Sequence, residues 1–266
     1  MIRLERVVKR YGERPVLREI SFSIGRGELV ALVGGSGSGK TTTLKCINRL
    51  IEPDGGEIFI DGKPVRAEPG PALRRRIGYV FQGIGLFPHL SVGENIAITP
   101  QLLGWPRERI EPRVDELLDL VELERSYKTR APAALSGGQR QRVGVARALA
   151  AEPQIVLMDE PFGALDPVTR DSLGRAYRAL HERLQLTSVL VTHDMLEALL
   201  LADRILVLQN GELLADDTPQ RLMQDHGEPV VRELLDMPRK QAARLHDLTA
   251  GTPVQPVPAG TADSNG

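Results

Sequence analysis

The run Gly34-Gly35-Ser36-Gly37-Ser38-Gly39-Lys40-Thr41 has the spacing G-x-x-x-x-G-K-[ST], and Thr42 follows it. Glycines let the backbone turn tightly, so successive N–H groups point into one concavity that suits a phosphate. Lys40 can then reach the β- and γ-phosphates of a nucleoside triphosphate, and the Thr41 hydroxyl is placed to ligate Mg²⁺. Downstream, the apolar run Ile155-Val156-Leu157-Met158 ends in Asp159-Glu160. Two carboxylates leaving a buried strand at its C-terminal end stand where parallel α/β sheets bind ligands. Asp159 suits the hydration shell of Mg²⁺, and Glu160 suits the catalytic base that orients water for in-line attack on the γ-phosphate. A second apolar run, Ser188 to Thr192, delivers His193 to the same edge. A lone histidine more often caps a helix or fills a core. At a strand end beside these acids, hydrogen bonding to the γ-phosphate is the favoured role.

Several elements are needed to hold these groups. Glu28–Val33 reads as a buried strand and Thr41–Ile47 as a helix, the strand–loop–helix context that the glycine loop requires. The start of that helix adds its partial positive charge at the phosphates. Residues 2–24 and 57–66 read as short strands, with turns at Gly12, Gly25 to Gly27 and Asp61-Gly62, predicting an antiparallel layer around the nucleotide base. From about Ser91 to Ala151 the pattern is helical, with Val114, Leu117, Leu118 and Val121 at helix spacing. Within it, Ser136 and Gln139 form an S-x-x-Q capping box that opens a helix running to about Ala151. Gly137 and Gly138 leave backbone N–H groups at its tip free to meet an anion. Strands and helices alternate from Ile155 to Gln209, as in a parallel sheet, and Asn210-Gly211 signals a hairpin. After about Asp247 the Gly, Pro, Thr and Ala content predicts disorder.

Composition excludes several alternatives. A net charge of −1 gives no general attraction to nucleic acid, so no nucleic-acid partner is expected. Arg74-Arg75-Arg76 is the one dense basic stretch, read as a solvated face or a docking site. The single cysteine, Cys46, excludes an internal disulfide and is expected to be a small buried hydrophobe. No stretch has the form of a signal peptide, and no apolar run approaches the ~18 residues of a spanning helix, so any membrane role is peripheral.

On these motifs the chain resembles the nucleotide-binding subunit of ATP-binding cassette (ABC) transporters, from about Ile2 to about Asp236. The resemblance implies an α/β fold: a phosphate-loop ATPase with a RecA-like core, an antiparallel β subdomain and a helical signature subdomain. It places the nucleotide-binding domain at 1–240, the helical subdomain at about 88–151, and a disordered tail at 241–266. It assigns Tyr11 to stacking on adenine, Gly34 to Thr42 to the ATP phosphates, and Gln82 to sensing the γ-phosphate and Mg²⁺. Thr41, Gln82 and Asp159 then surround the metal, with Glu160 as base and His193 as switch histidine. Ser136, Gly137, Gly138 and Gln139 act on the ATP of a second subunit, and Asp166 of Ala164-Leu165-Asp166 touches that subunit. ATP and Mg²⁺ are the implied cofactors. The implied partners are a second copy of the chain, integral membrane permeases and an external solute-binding protein. The implied place is the cytoplasmic face of the cell membrane. The loop Gln82 to His89, with apolar Ile84, Leu86 and Phe87, either tucks into the core or offers a groove to a permease helix.

A narrower resemblance follows from Asn48-Arg-Leu-Ile-Glu-Pro53, Ile77-Gly-Tyr-Val-Phe-Gln82 through His89, and Leu102-Leu-Gly-Trp105. These are similar to the subgroup serving uptake of quaternary-amine osmoprotectants such as glycine betaine, choline and carnitine. Members of that group often end in paired CBS modules, for which this sequence has no room. Trp105 is expected to pack in the helical subdomain and not to cage a trimethylammonium. Other small polar solutes remain as cargo. A kinase or GTPase needs no Ser136 signature, and no Asn-Lys-x-Asp motif is present. DNA-repair relatives insert coiled coils or zinc modules between phosphate loop and signature; here Lys40 and Ser136 are 96 positions apart without heptads or clustered cysteines.

Overall fold

Alternation of apolar residues builds two sheets that share one core. In the computed structural model, which describes residues 1–82, 85–224, 228–236 and 240, the first sheet contains β1 (Ile2–Tyr11), β2 (Arg14–Ile24), β4 (Gly55–Ile60) and β5 (Lys63–Pro64). Its order is β2-β1-β4-β5 and every pairing is antiparallel. Ile2, Leu4 and Val7 of β1 and Ile20, Phe22 and Ile24 of β2 are buried, while charged neighbours face outward, as in a sheet with one wet face. β1 and β2 run to ten and eleven residues, longer than expected from the sequence. They stay paired through register shifts, near which Arg6 and Glu19 take φ of 46° and 53°; an extra residue at such a point lets a long strand bend without losing its partner.

The second sheet has the order β10-β9-β3-β8-β7-β6. Here β3 (Leu29–Val33), β6 (Ile77–Val80), β7 (Ile155–Asp159), β8 (Thr187–Val191) and β9 (Arg204–Gln209) are parallel, and β10 (Glu212–Asp217) returns antiparallel at the edge. The return is the hairpin at Asn210-Gly211, whose φ values of 50° and 81° suit a two-residue turn of this hand. Every residue of β3, β7 and β8 is buried, because both faces are covered. Side chains two apart share a face. Val30 and Leu32 therefore join the first sheet and helix α1 (Lys40–Ile47), whereas Leu29, Ala31 and Val33 join a second cluster on the other face.

That second cluster is built from helices. After α2 (Gly70–Arg75), the chain forms α3 (Val92–Leu102), α4 (Arg107–Leu120) and α5 (Gly137–Leu149), which pack on one another. Val114, Leu117, Leu118 and Val121 are buried there, as their spacing predicts. The helix after the signature ends at Leu149, short of the expected Ala151. The sheet's remaining helices are α6 (Pro167–Leu184), α7 (Met195–Leu201) and α8 (Pro219–Gln224), followed by a helical run over 229–236. Cys46 is fully buried, and burial pushes its thiol up to about 12. Trp105 packs against the helical cluster with the Arg109 guanidinium 3.4 Å from its ring centre, which is a packing role. Among the described residues no helix is long and apolar enough to cross a membrane. The expected tail at 241–266 and the apolar Ile84 lie outside the described residues.

Candidate nucleotide site and its relatives

The glycine loop leaves β3 and enters α1 directly, and two of its glycines are sterically required. Gly34 has φ 151°, and a Cβ there would stand 2.0 Å from the Leu208 carbonyl oxygen. Gly39 has φ 106°, and its Cβ would come within 2.6 Å of Leu17 Cδ2. Gly39 is also the N-cap of α1 and supplies no capping side chain. The first N–H groups of the helix therefore lack an internal side-chain acceptor, which is what an anion requires of a helix start. Lys40 is 8% exposed and donates from Nζ to the carbonyls of Gly34 and Gly35 at 2.8 and 2.9 Å. Burial lowers the pKa of this ammonium, against the pull of Glu160 and Asp159. An incoming polyphosphate would restore the opposite charge that burial makes scarce.

The acids stand across the loop. Asp159, at the end of β7, is 2% exposed and accepts a hydrogen bond from Thr41 Oγ1 at 2.8 Å. Burial pushes its carboxyl pKa up, with Thr41 opposing. Glu160 follows with φ 48°, a left-handed backbone that costs a side-chain-bearing residue about 1–2 kcal/mol. Three backbone bonds pin it. Its N–H donates to Val191 O at 2.9 Å, and its carbonyl accepts from Gly163 N–H at 3.4 Å and from Gln141 Nε2 at 3.3 Å. His193 Nδ1 lies 3.6 Å from Glu160 Oε1. A cavity of about 450 Å³ is lined by Ser36 to Thr42, Gln82, Glu160, His193 and Val16.

The structure thus brings together most of the expected residues and separates three groups. Tyr11 is 51% exposed at the end of β1, outside that cavity, with Lys9 Nζ 5.8 Å from its ring centre. Ser136 and Gln139 form both bonds of the expected capping box, at 3.2 and 2.9 Å, but Ser136 to Gln139 line a different surface. Asp166 caps α6 by accepting from Thr169 N–H at 3.0 Å. Sequence reasoning missed Val16, which gives no motif. It also missed Gln141, which the signature helix buries against Glu160, and Asn95. Asn95 is fully buried and bonds Phe87 N–H and the carbonyls of Phe87, Leu90 and Ser91, fixing the loop after Gln82. In that loop Leu86 tucks against the helical core, whereas Phe87 is 41% exposed. Phe87 borders a groove of about 550 Å³ lined by Arg74, Arg75 and Arg147, with no acidic side chain among its described lining residues. Arg147 donates from Nη1 to Gly85 O at 2.6 Å.

A phosphate loop feeding an uncapped helix, opposed by a strand-end Asp–Glu pair, defines a nucleoside triphosphatase; a separately capped Ser-Gly-Gly-Gln helix narrows this to the cassette class. The chain belongs to the ABC transporter family, whose model matches residues 17–163. It is 48% identical over 96% of its length to the glycine betaine/carnitine/choline transport ATP-binding protein OpuCA of Bacillus subtilis. It is 49% identical over 90% of its length to the choline transport ATP-binding protein OpuBA of the same organism. The chain spans 68% and 63% of the lengths of these two relatives. Its fold matches that of a dimeric ATP-binding cassette solved in a post-hydrolysis state with ADP and Pi, with TM-score 0.76 and 36% identity, over 82% of this chain and 99% of that one.

Proposed function

We propose that this chain is the ATP-hydrolysing subunit of an importer for quaternary-amine osmoprotectants, working as a homodimer on the cytoplasmic face of the membrane. The observation that carries the ATPase reading is the cavity that gathers Lys40, Thr41, Gln82, Glu160 and His193 around the glycine loop. The cargo reading is supported by the names of the relatives at 48–49% identity.

Backbone N–H groups of 34–41 and the start of α1 hold the phosphates, with Lys40 turning from its loop carbonyls to the β- and γ-oxygens. Thr41, Asp159 and Gln82 offer a hydroxyl, a carboxylate and an amide, an all-oxygen set suited to a hard divalent cation. Burial raises the pKa of Asp159 against the pull of Thr41, Lys45 and Lys40; a divalent cation beside this buried carboxylate would favour its charged form, so the set fits Mg²⁺. Bound there, Mg²⁺ would neutralise charge on the β- and γ-phosphates. Glu160 accepts a proton from the attacking water and orients it in line, and His193 donates to the γ-phosphate. Tyr11 offers its exposed ring to the adenine.

Ser136 to Gln139 stand apart from the subunit's own cavity, as expected of groups that close the site of a second copy, and Asp166 faces the same partner. Two identical chains placed so form an isologous pair around two ATP molecules. The arginine-lined groove beside Phe87 suits a permease helix with an apolar face and a carboxylate. An external solute-binding protein completes the importer. The test is uptake of labelled glycine betaine and choline at high osmolarity by a host that lacks its own systems and carries the neighbouring transport genes. Uptake that requires Glu160, judged with Glu160→Gln, supports the assignment. Intact ATPase activity without uptake of either compound removes the osmoprotectant cargo.

A further inference from the structure

His193 is exposed, with its Nδ1 3.6 Å from Glu160 Oε1, so burial does not aim it; its backbone turn must. That turn is held from both sides. Thr192, on its N-terminal side, is 2% exposed; its Oγ1 bonds Glu197 Oε2 and accepts from Asp194 N–H at 3.0 Å. Asp194, on the other side, caps α7. Its Oδ1 accepts from the N–H groups of Leu196 and Glu197 at 2.9 and 3.3 Å, and its Oδ2 takes Arg170 Nη1 at 3.2 Å. Arg170 reaches across from α6 and gives its Nη2 to the Leu165 carbonyl at 3.2 Å, the middle of the Ala164–Asp166 loop.

Glu197 Oε1 is sealed from solvent and has no hydrogen-bond partner among the described residues. The charged groups facing this carboxyl are Asp194 and His193 on its own turn and Arg170 on α6, while the strand packed beside α7, β3, contributes only apolar residues. Burial, aided by the Asp194 charge, pushes its pKa up to about 7 against Thr192, Arg170 and His193. A neutral acid leaves the sealed oxygen without an uncompensated charge, which is the state this geometry favours.

We propose that Glu197 and Arg170 are positioning residues for His193: Glu197 fixes its turn through Thr192, and Arg170 ties that turn to the partner-facing loop through Asp194 and Leu165. The proposal rests on His193 contacting the γ-phosphate.

The test is a double-mutant cycle in ATP turnover on the full chain. Glu197→Met and Arg170→Met should each lower kcat about tenfold, with KM for ATP within about twofold. In a His193→Ala background the same substitutions should add less than about a further twofold, because they act through a group already removed. Glu197→Gln keeps a partner for Thr192 but does not titrate, so it should retain turnover and lack the decline expected of the wild type as pH rises through about 7. Full additive losses in the His193→Ala background overturn the proposal. A His193→Ala chain with wild-type kcat overturns the reading of His193 and the positioning with it. Should Glu197→Met fail to fold, Thr192→Val breaks the same link and enters the same cycle.

Discussion

Replacing Gln141 with Met tests whether the signature helix holds Glu160, the proposed base, within its own subunit. Gln141 is 2% exposed and reaches the Glu160 carbonyl at 3.3 Å, and Met matches its length without the amide. Glu160 sits at φ 48°, a conformation that costs about 1–2 kcal/mol and that its backbone bonds must outweigh. The bond from Gln141 contributes about 0.5–1.5 kcal/mol net. What then holds the carbonyl is Gly163 N–H at 3.4 Å, a long bond. About 1 kcal/mol of lost restraint at the base corresponds to a fall in kcat of roughly fivefold. Because Gln141 lines no part of the phosphate cavity, KM for ATP should stay within about twofold. Steady-state turnover of the purified chain across ATP concentrations measures both, and a thermal melt checks folding. A kcat within about 1.5-fold of wild type, or a rise in KM without loss of kcat, would refute the argument that Glu160 is held from α5.

Two further outcomes follow from burial and close approach. Gly34→Ala drives a Cβ into the Leu208 carbonyl at 2.0 Å, so β3 and β9 must separate; binding of a fluorescent ATP analogue should fall by more than about tenfold, with a stability loss of about 2 kcal/mol or more in urea. His181 donates from Nε2 to Gly27 O and accepts at Nδ1 from Ser188, which in turn accepts from Tyr177, and burial lowers its pKa below 6.5. The unfolded chain therefore takes up this proton first. Stability from the neutral ring is full above about pH 6.5 and is lost as pH falls towards the lowered value. Urea midpoints should drop between about pH 7 and 5, and His181→Gln should flatten that drop.

Local chemistry was legible in the sequence, and long-range contact was not. The glycine loop, the strand-end acids, the Ser136 capping box and the Asn210-Gly211 hairpin depend on residues a few positions apart, and each stands as expected. Leu86 and Phe87 were one apolar stretch in sequence, yet the loop that Asn95 fixes packs one, half-buried, against the helical core and exposes the other. Gln141 and Glu160, or Arg170 and Asp194, meet across chain segments that no periodicity relates. Tyr11 carries an aromatic in the expected place, but the strand end holds it outside the phosphate cavity. The left-handed Glu160 gives no residue-type signal, since a glycine there would lack the carboxylate.

The central claim is that Glu160 is the base for ATP hydrolysis in a site that two copies complete. Its most direct test compares purified wild type and Glu160→Gln with Mg²⁺ and ATP, following phosphate release and mass in solution together. The account predicts that Glu160→Gln loses nearly all turnover and accumulates as an ATP-bound dimer, while the wild type hydrolyses ATP and returns to monomer. Wild-type turnover in Glu160→Gln, or a monomer that holds ATP without pairing, would contradict it.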